Sequence, residues 1–249
     1  MIKLGKLILN GTPRIAVGFN DRTNPTILMD AKKLGLDIAE LRIDQYSSFE
    51  KKHVLKQISK FRHFPTIATI RSKKEGGGWN LSESARLQLF ETIIPKIDAI
   101  DIELSSKEIL PKVIKKAQSA KKSVVISYHN FDRTPDVRAL SKILKEAKTL
   151  GADIVKIATM ALRKADVQAL AAFTSANASQ NLVTIAMGSE GLISRIFFPV
   201  LGSLITHAYL GEPTAPGQLH YEKTFDYLRL FYPKFNQEKI RALQLFQNV

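Results

Sequence analysis

A beat of short, almost continuously apolar runs is the feature that most restricts what this chain can fold into. They fall at 14–19 (RIAVGF), 37–43 (DIAELRI), 65–71 (PTIATIR), 98–104 (DAIDIEL), 122–128 (KSVVISY), 153–158 (DIVKIA) and 182–187 (LVTIAM), with an eighth, weaker one near 203–209 (SLITHAY). Each is rich in β-branched residues and apolar at successive positions, which is how a strand buried on both faces reads. Between them lie helix-like segments at 24–35, 49–62, 82–96, 106–120, 135–150, 163–179 and 190–201. In 135–150, Thr134-Pro135-Asp136 offers a cap and a first-turn proline, and Gly151 a stop. Val137, Leu140, Ile143, Leu144 and Ala147 share one face of that helix. Repeated strand-then-helix units predict a (β/α)8 TIM barrel, whose usual length of about 250 residues suits a chain of 249. A doubly wound open sheet is the alternative, but no G-x-G-x-x-G follows the first strand. LILN-GTP predicts a short N-terminal β-hairpin turning at Asn10-Gly11, and 219–247 predicts one or two helices. With no Pro/Gly/Ser-rich linker, residues 1–249 are expected to form one domain.

Composition removes several kinds of chemistry. The absence of cysteine excludes disulfides, thiolate metal sites and a thiol nucleophile. The longest apolar stretch, 196–205, is interrupted by Pro199 and Gly202 and is too short to span a bilayer, so no membrane role is expected. The opening MIKLGKLILN lacks the apolar core of a signal peptide, which makes a cytoplasmic protein the expectation. The net charge of +14 raises a nucleic-acid partner. Lys and Arg are nevertheless spread over 3–164, mostly on helices, and between Ala165 and Glu222 only Arg195 is basic. A solvated basic helical surface is the expectation, with no nucleic-acid partner.

The polar residues that interrupt the apolar runs point to a site. In a barrel of this kind reactive groups lie at the carboxyl ends of the strands. Glu40 and Arg42 close the second run two residues apart, on one face. Arg71 closes the third, with Glu75 beyond it. Asp101 and Glu103 alternate on the fourth, the fifth runs into Ser127-Tyr128-His129, and Met187 ends the seventh before a Gly188–Gly191 turn. Singly, Glu40-x-Arg42 reads as an ion pair and His129 as a structural histidine. Lys156, between Val155 and Ile157, is harder to dismiss, because buried lysines are rare unless paired. A desolvated or cation-flanked amine would have a depressed pKa and attack a carbonyl. Arg195, on the first turns of the predicted helix after the seventh strand, could hold an anion together with helix N-terminal amides. Its neighbours Ile193, Ile196 and Phe197 argue against a solvated position. The five histidines show no metal-ligand spacing, and there is no P-loop or G-x-S-x-G elbow. Paired acids could also serve a glycosidase, but Trp79 is the only tryptophan and no aromatic sugar platform is evident.

Taken in order, ELRID (40–44), TIRSKKEGG (69–77), DIEL (101–104), SYHNF (127–131), VKIA (155–158), MGSEGLISR (187–195) and TAPGQ (214–218) resemble type I 3-dehydroquinate dehydratase. The resemblance covers essentially the whole chain and implies a (β/α)8 barrel, a homodimer, and a lyase that needs no metal or dissociable cofactor. It implies that Lys156 forms a Schiff base with the C3 ketone of 3-dehydroquinate and that His129 moves the C2 proton and protonates the departing C1 hydroxyl. Glu75 would orient His129. Arg195, Thr214 and Gln218 would hold the substrate carboxylate side, Glu40, Arg42 and Arg71 the ring hydroxyls, and Met187 would pack on the ring. Two positions depart from the family pattern: Thr214 stands where Ser is frequent, and Gly18 where Ser or Pro is frequent, so no role is carried onto Gly18. Some relatives continue into a shikimate dehydrogenase domain, which this length does not predict. A class I aldolase or transaldolase would also use a lysine on the sixth strand, but usually with a phosphate pocket. A basic binding protein without catalysis would not need Lys156, His129 and Arg195 together.

Overall fold

The computed structural model describes residues 2–9 and 11–247. Two short antiparallel strands, β1 (Ile2–Leu4) and β2 (Leu7–Leu9), form the expected hairpin ahead of the barrel. Its turn is not at Asn10-Gly11. Leu4 pairs with Leu7, so the chain reverses at Gly5-Lys6, where Gly5 has φ +55°, a conformation open to glycine. Gly11 follows the second strand instead, and Asn10 lies outside the described residues.

The barrel strands are β3 (Arg14–Phe19), β4 (Ile38–Arg42), β5 (Thr66–Thr69), β6 (Ala99–Glu103), β7 (Ser123–Asn130), β8 (Ile154–Met160), β9 (Leu182–Met187) and β10 (Ile205–Tyr209). They run parallel in the order β10-β3-β4-β5-β6-β7-β8-β9. Closure between β9 and β10 is made by the Leu182–Ser203 bridge, by Leu204 N–H donating to the Leu182 carbonyl (2.8 Å) and by Thr184 N–H donating to Ser203 Oγ (3.0 Å). A two-residue strand, β11 (Leu219–His220), adds to β10. Helices α1 (Pro25–Lys33), α2 (Lys51–Ser59), α3 (Glu83–Ile93), α4 (Leu110–Ser119), α5 (Val137–Thr149), α6 (Lys164–Ala176) and α7 (Ser194–Phe197) follow successive strands. Two more, α8 (Tyr221–Phe231) and α9 (Pro233–Gln247), make up the tail. No helix among the described residues is long and apolar enough to cross a membrane.

Three local expectations give way. The helix expected over 190–201 shrinks to α7 and a 3-10 turn at Phe198–Leu201. The bonds leading into it, Ser194 N–H to Gly191 and Arg195 N–H to Leu192, span three residues, and Pro199 has no N–H to continue an α-helix. The cap of α5 is Asp136, whose carboxylate accepts from Ala139 N–H at 2.8 Å. Thr134 instead donates to the Met160 carbonyl at the end of β8. Val137, placed on the apolar face of α5 by its spacing, is exposed at the first residue of the helix.

Apolar residues of both parities are explained by two cores. One packs the outward side chains of the strands (Ile100, Ile102, Val155, Ile157) against the helices. The other fills the amino end of the barrel interior with Ile38, Ile67, Ala99, Val125, Ile154 and Ile205, and Leu4 and Leu9 of the hairpin pack into it as a plug. Leu4 is fully buried. Leu4→Ala is therefore expected to lower stability by about 2–4 kcal/mol in urea unfolding; an unchanged midpoint would show that the hairpin does not close the barrel.

Candidate active site

Alternation along each strand carries the inward face from apolar to charged. On β4 the inward series is Ile38, Glu40, Arg42; on β5 and just past it, Ile67, Thr69, Arg71; on β6, Ala99, Asp101, Glu103; on β7, Val125, Ser127, His129; on β8, Ile154, Lys156, Ala158. The parallel register sets Ser127 opposite Lys156 and His129 opposite Ala158. A cavity at the carboxyl end is lined by Glu40, Arg42, Arg71, Glu75, His129, Lys156, Met187, Arg195, Thr214 and Gln218, together with Ile185, Phe131, His207 and Ala215. All ten residues to which the family resemblance gives a role line it.

Lys156 is 6% exposed. Its flanking groups are carboxylates rather than cations: Nζ lies 3.1 Å from Asp101 Oδ2 and 3.4 Å from Glu40 Oε1. Thr69 Oγ1 also donates to Glu40 Oε1, at 2.8 Å. Burial works against ionisation of Glu40, but Lys156, His207 and Arg42 hold its carboxyl down to about 2. Burial likewise opposes ionisation of Asp101, and Arg71 and Lys156 hold it well below the usual carboxylate range.

Arg71 spans Asp101 Oδ1 (2.8 Å) and Glu103 Oε1 (3.2 Å) and donates to Ser127 Oγ (2.6 Å). Glu103 does not line the cavity. It receives Ser72 N–H (2.8 Å) and is gripped from behind by the fully buried Arg86. Arg42 forms a forked pair with Asp44, at 3.1 Å and 2.8 Å, and Asp44 also receives Gly78 N–H at 3.0 Å.

His129 Nδ1 and its backbone N–H both contact Glu75 Oε2, at 3.0 Å and 2.9 Å. When Glu75 is ionised the shared oxygen is an acceptor, so Nδ1 carries the proton and Nε2 keeps its lone pair. Burial, then the charges of Arg71 and Lys156, push the imidazole well below its ordinary pKa, which leaves it neutral. Burial raises Glu75 to about 7, against the Ser105 hydroxyl that donates to its other oxygen. The turn carrying Glu75 folds back on Arg71: a Cβ at Gly77 would stand 2.1 Å from the Arg71 carbonyl oxygen.

Arg195 is 2% exposed, while its neighbours Ile193 and Phe197 are exposed and only Ile196 is buried. Arg195 sits in the four-residue α7, which is too short to present a set of helix N-terminal amides beside the guanidinium. It donates to the carbonyls of Gly217 (3.1 Å), Pro216 (3.3 Å) and His207 (3.5 Å), and among the described residues it faces no carboxylate. Burial brings its pKa down to about 10. Gln218 Oε1 accepts Thr214 N–H at 2.7 Å, which shapes the loop beside Arg195. The two departures from the family pattern are neighbours: Thr214 Oγ1 and Cγ2 lie 3.5 Å and 3.6 Å from where a Cβ at Gly18 would be. The methyl that Thr has beyond Ser occupies the space beside that glycine.

Sequence reasoning missed His207 and Asp44 and assigned Asp101 no role. His207 was legible in principle, since it shares the parity of the inward Ile205. Asp44 lies past the end of β4 in a 3-10 turn, where alternation no longer predicts direction.

Comparison with known proteins covers the same residues. A family model described as type I 3-dehydroquinase matches residues 17–234. The 3-dehydroquinate dehydratase of Thermodesulfovibrio yellowstonii is 35% identical over 215 residues, 86% of this chain and 93% of the relative. That of Methanococcoides burtonii is 36% identical over 226 residues, 89% and 96% of the two chains. The crystal structure of the Aquifex aeolicus 3-dehydroquinate dehydratase superposes with a TM-score of 0.80 at 36% identity, covering 88% of this chain and 99% of that one.

Burial of Glu75 makes stability depend on pH with a definite sign. A carboxyl raised from 4.5 to about 7 in the folded state contributes stability that is complete below pH 4.5 and is lost as the pH rises through 7. Glu75→Gln removes that dependence, so relative to the wild type it should gain about 2–3 kcal/mol between pH 4.5 and pH 8. Urea unfolding of both proteins at the two pH values measures this; a difference that does not vary with pH would refute it.

Proposed function

The chain belongs to the type I 3-dehydroquinase family, and from that premise we propose that it dehydrates 3-dehydroquinate to 3-dehydroshikimate through a lysine Schiff base, as a single catalytic domain. The reaction belongs to the shikimate pathway, toward chorismate and the aromatic amino acids. The observation that carries the reading is the meeting of three groups in one cavity: the buried amine of Lys156, the neutral imidazole of His129 and a guanidinium at Arg195 with no carboxylate partner among the described residues.

The Lys156 ammonium gives up one proton within the site as Nζ attacks the C3 ketone, and that proton returns as the carbinolamine loses water, so ammonium plus ketone become iminium plus water. The iminium carries one positive charge, as the lysine ammonium does, so Glu40 and Asp101 balance either form without rearrangement. That charge draws electrons from the C2–H bond. His129 Nε2, bearing the lone pair, takes the C2 proton to give an enamine. The enamine expels the C1 hydroxyl, which leaves as water with the proton held by His129; one base serving both steps gives syn elimination. Hydrolysis of the imine returns Lys156 and the ketone. Glu75 fixes the tautomer and direction of the imidazole. Arg195 meets the substrate carboxylate as a planar fork, assisted by Gln218 and Thr214. Glu40, Arg42 and Arg71 take the ring hydroxyls, and the buried Met187 packs against the ring. The chemistry asks nothing of a metal or dissociable cofactor.

Borohydride reduction in the presence of 3-dehydroquinate should add the mass of the reduced adduct to the wild type and none to Lys156→Ala. His129→Ala should still trap while turnover falls by about 10²–10⁴-fold, and Arg195→Gln should trap only at raised substrate concentration. A wild type that neither traps nor turns over would remove the assignment.

The same reading makes the protein a cytoplasmic homodimer. Ile193, Phe197, Val200, Leu230 and Phe231 are exposed on and around α7 and α8, which pack together, and a second copy would cover such a surface. Sedimentation equilibrium should show a dimer that Phe231→Asp weakens; a wild-type monomer at micromolar concentration would refute it.

A further inference from the structure

His207 is a polar cavity residue that the proposed mechanism leaves unused. It sits on β10 and is 6% exposed. Its Nδ1 is buried and has no hydrogen-bond partner among the described residues. Its Nε2 lies 3.7 Å from Glu40 Oε2, beyond hydrogen-bond range. The other Glu40 oxygen is already engaged by Thr69 and Lys156, at 2.8 Å and 3.4 Å, whereas Oε2 has no hydrogen bond among the described residues. Two polar atoms on the wall of one cavity thus stand too far apart to satisfy each other. The gap is close enough that a single oxygen set to one side could reach both at ordinary hydrogen-bond lengths.

The polarity of the pair is determined by its surroundings. Burial, then the charge of Lys156, push the His207 imidazole down to about 3, so it is neutral and has one N–H and one lone pair. An ionised carboxylate beside Nε2 favours the tautomer with the proton on Nε2, which leaves the bare lone pair on the enclosed Nδ1. A hydroxyl placed between them would accept from Nε2–H and donate to Glu40 Oε2, satisfying all three groups. A water or a carboxylate is less suited: the first has a second O–H with no acceptor assigned here, and the second would meet the Glu40 charge.

We propose that His207 is a substrate-contacting, specificity-determining residue of this chain, whose Nε2 and the Glu40 carboxylate bracket one ring hydroxyl of the substrate. The proposal rests on the dehydratase reading and adds to it a partner for Glu40. The backbone carbonyl of His207 also accepts from Arg195 at 3.5 Å, so one residue adjoins both the hydroxyl side and the carboxylate side of the cavity.

His207→Phe keeps a ring of similar size and removes both nitrogens. With 3-dehydroquinate its kcat/KM should fall about 3- to 10-fold, the worth of one neutral hydrogen bond. With the 4-deoxy and 5-deoxy analogues, that fall should vanish for the one lacking the bracketed hydroxyl and persist for the other. No fall with the parent substrate, or an equal fall with all three, would overturn the proposal. A wild type without turnover or borohydride adduct would instead strike the dehydratase reading on which it rests. Should His207→Phe fail to fold, ¹⁵N spectra of the wild type read the same contact: the Nε2 signal of His207 should move on saturation with substrate, and an unmoved signal would overturn the proposal equally.

Discussion

Charges enclosed inside a barrel must be neutralised by one another, because water is not there to do it. The carboxyl end of this barrel is built as a relay of such pairings. Arg86 grips Glu103, Glu103 meets Arg71, Arg71 meets Asp101, Asp101 meets Lys156, and Lys156 meets Glu40, while Arg42 is matched by Asp44. Cations and carboxylates in this relay are equal in number. Removing any one member would leave an uncompensated buried charge, so the whole set is held in place by the same electrostatics that orients the amine.

Arg195 stands outside that balance. Its donors go to three backbone carbonyls, which satisfy hydrogen-bonding geometry but not charge. With His129 and His207 kept neutral by burial, the guanidinium gives one side of the cavity a positive potential that a small carboxylate would cancel. The net charge of +14 therefore has little to do with the site. Most of it is surface lysine on helices, whereas Arg42 and Arg71 at the strand ends are paired with carboxylates and Arg195 faces none among the described residues.

Much of this was legible in the sequence. Each apolar run became a barrel strand, because a strand buried on both faces needs apolar residues at both parities and leaves an unmistakable pattern. Polar residues breaking those runs had to face inward, and Glu40, Arg42, Asp101, His129 and Lys156 do. The failures were local. The Asn10-Gly11 signal lost to Gly5-Lys6 as the hairpin turn, since the hairpin must place Leu4 and Leu9 into the barrel mouth. The helix expected around Arg195 collapsed to one turn. His207 was overlooked because the last barrel run is the weakest of the eight, and a histidine within it carries no mark of direction unless the parity of Ile205 is traced through it.

By itself the sequence determined the strand order along the chain, the barrel, and the identity of most of the groups gathered at its carboxyl end. Period-two alternation converts residue order into side-chain direction, and that conversion needs no long-range information. Only the tertiary structure decided which charges cancel and which remain. Lys156 lies between two carboxylates from other strands, Glu75 is raised to about 7 by burial, and Nε2 of His207 stands just too far from Glu40 to bond it. Each of these depends on distances across the barrel and on exclusion of water, quantities that arise when the sheet closes and that no local pattern contains.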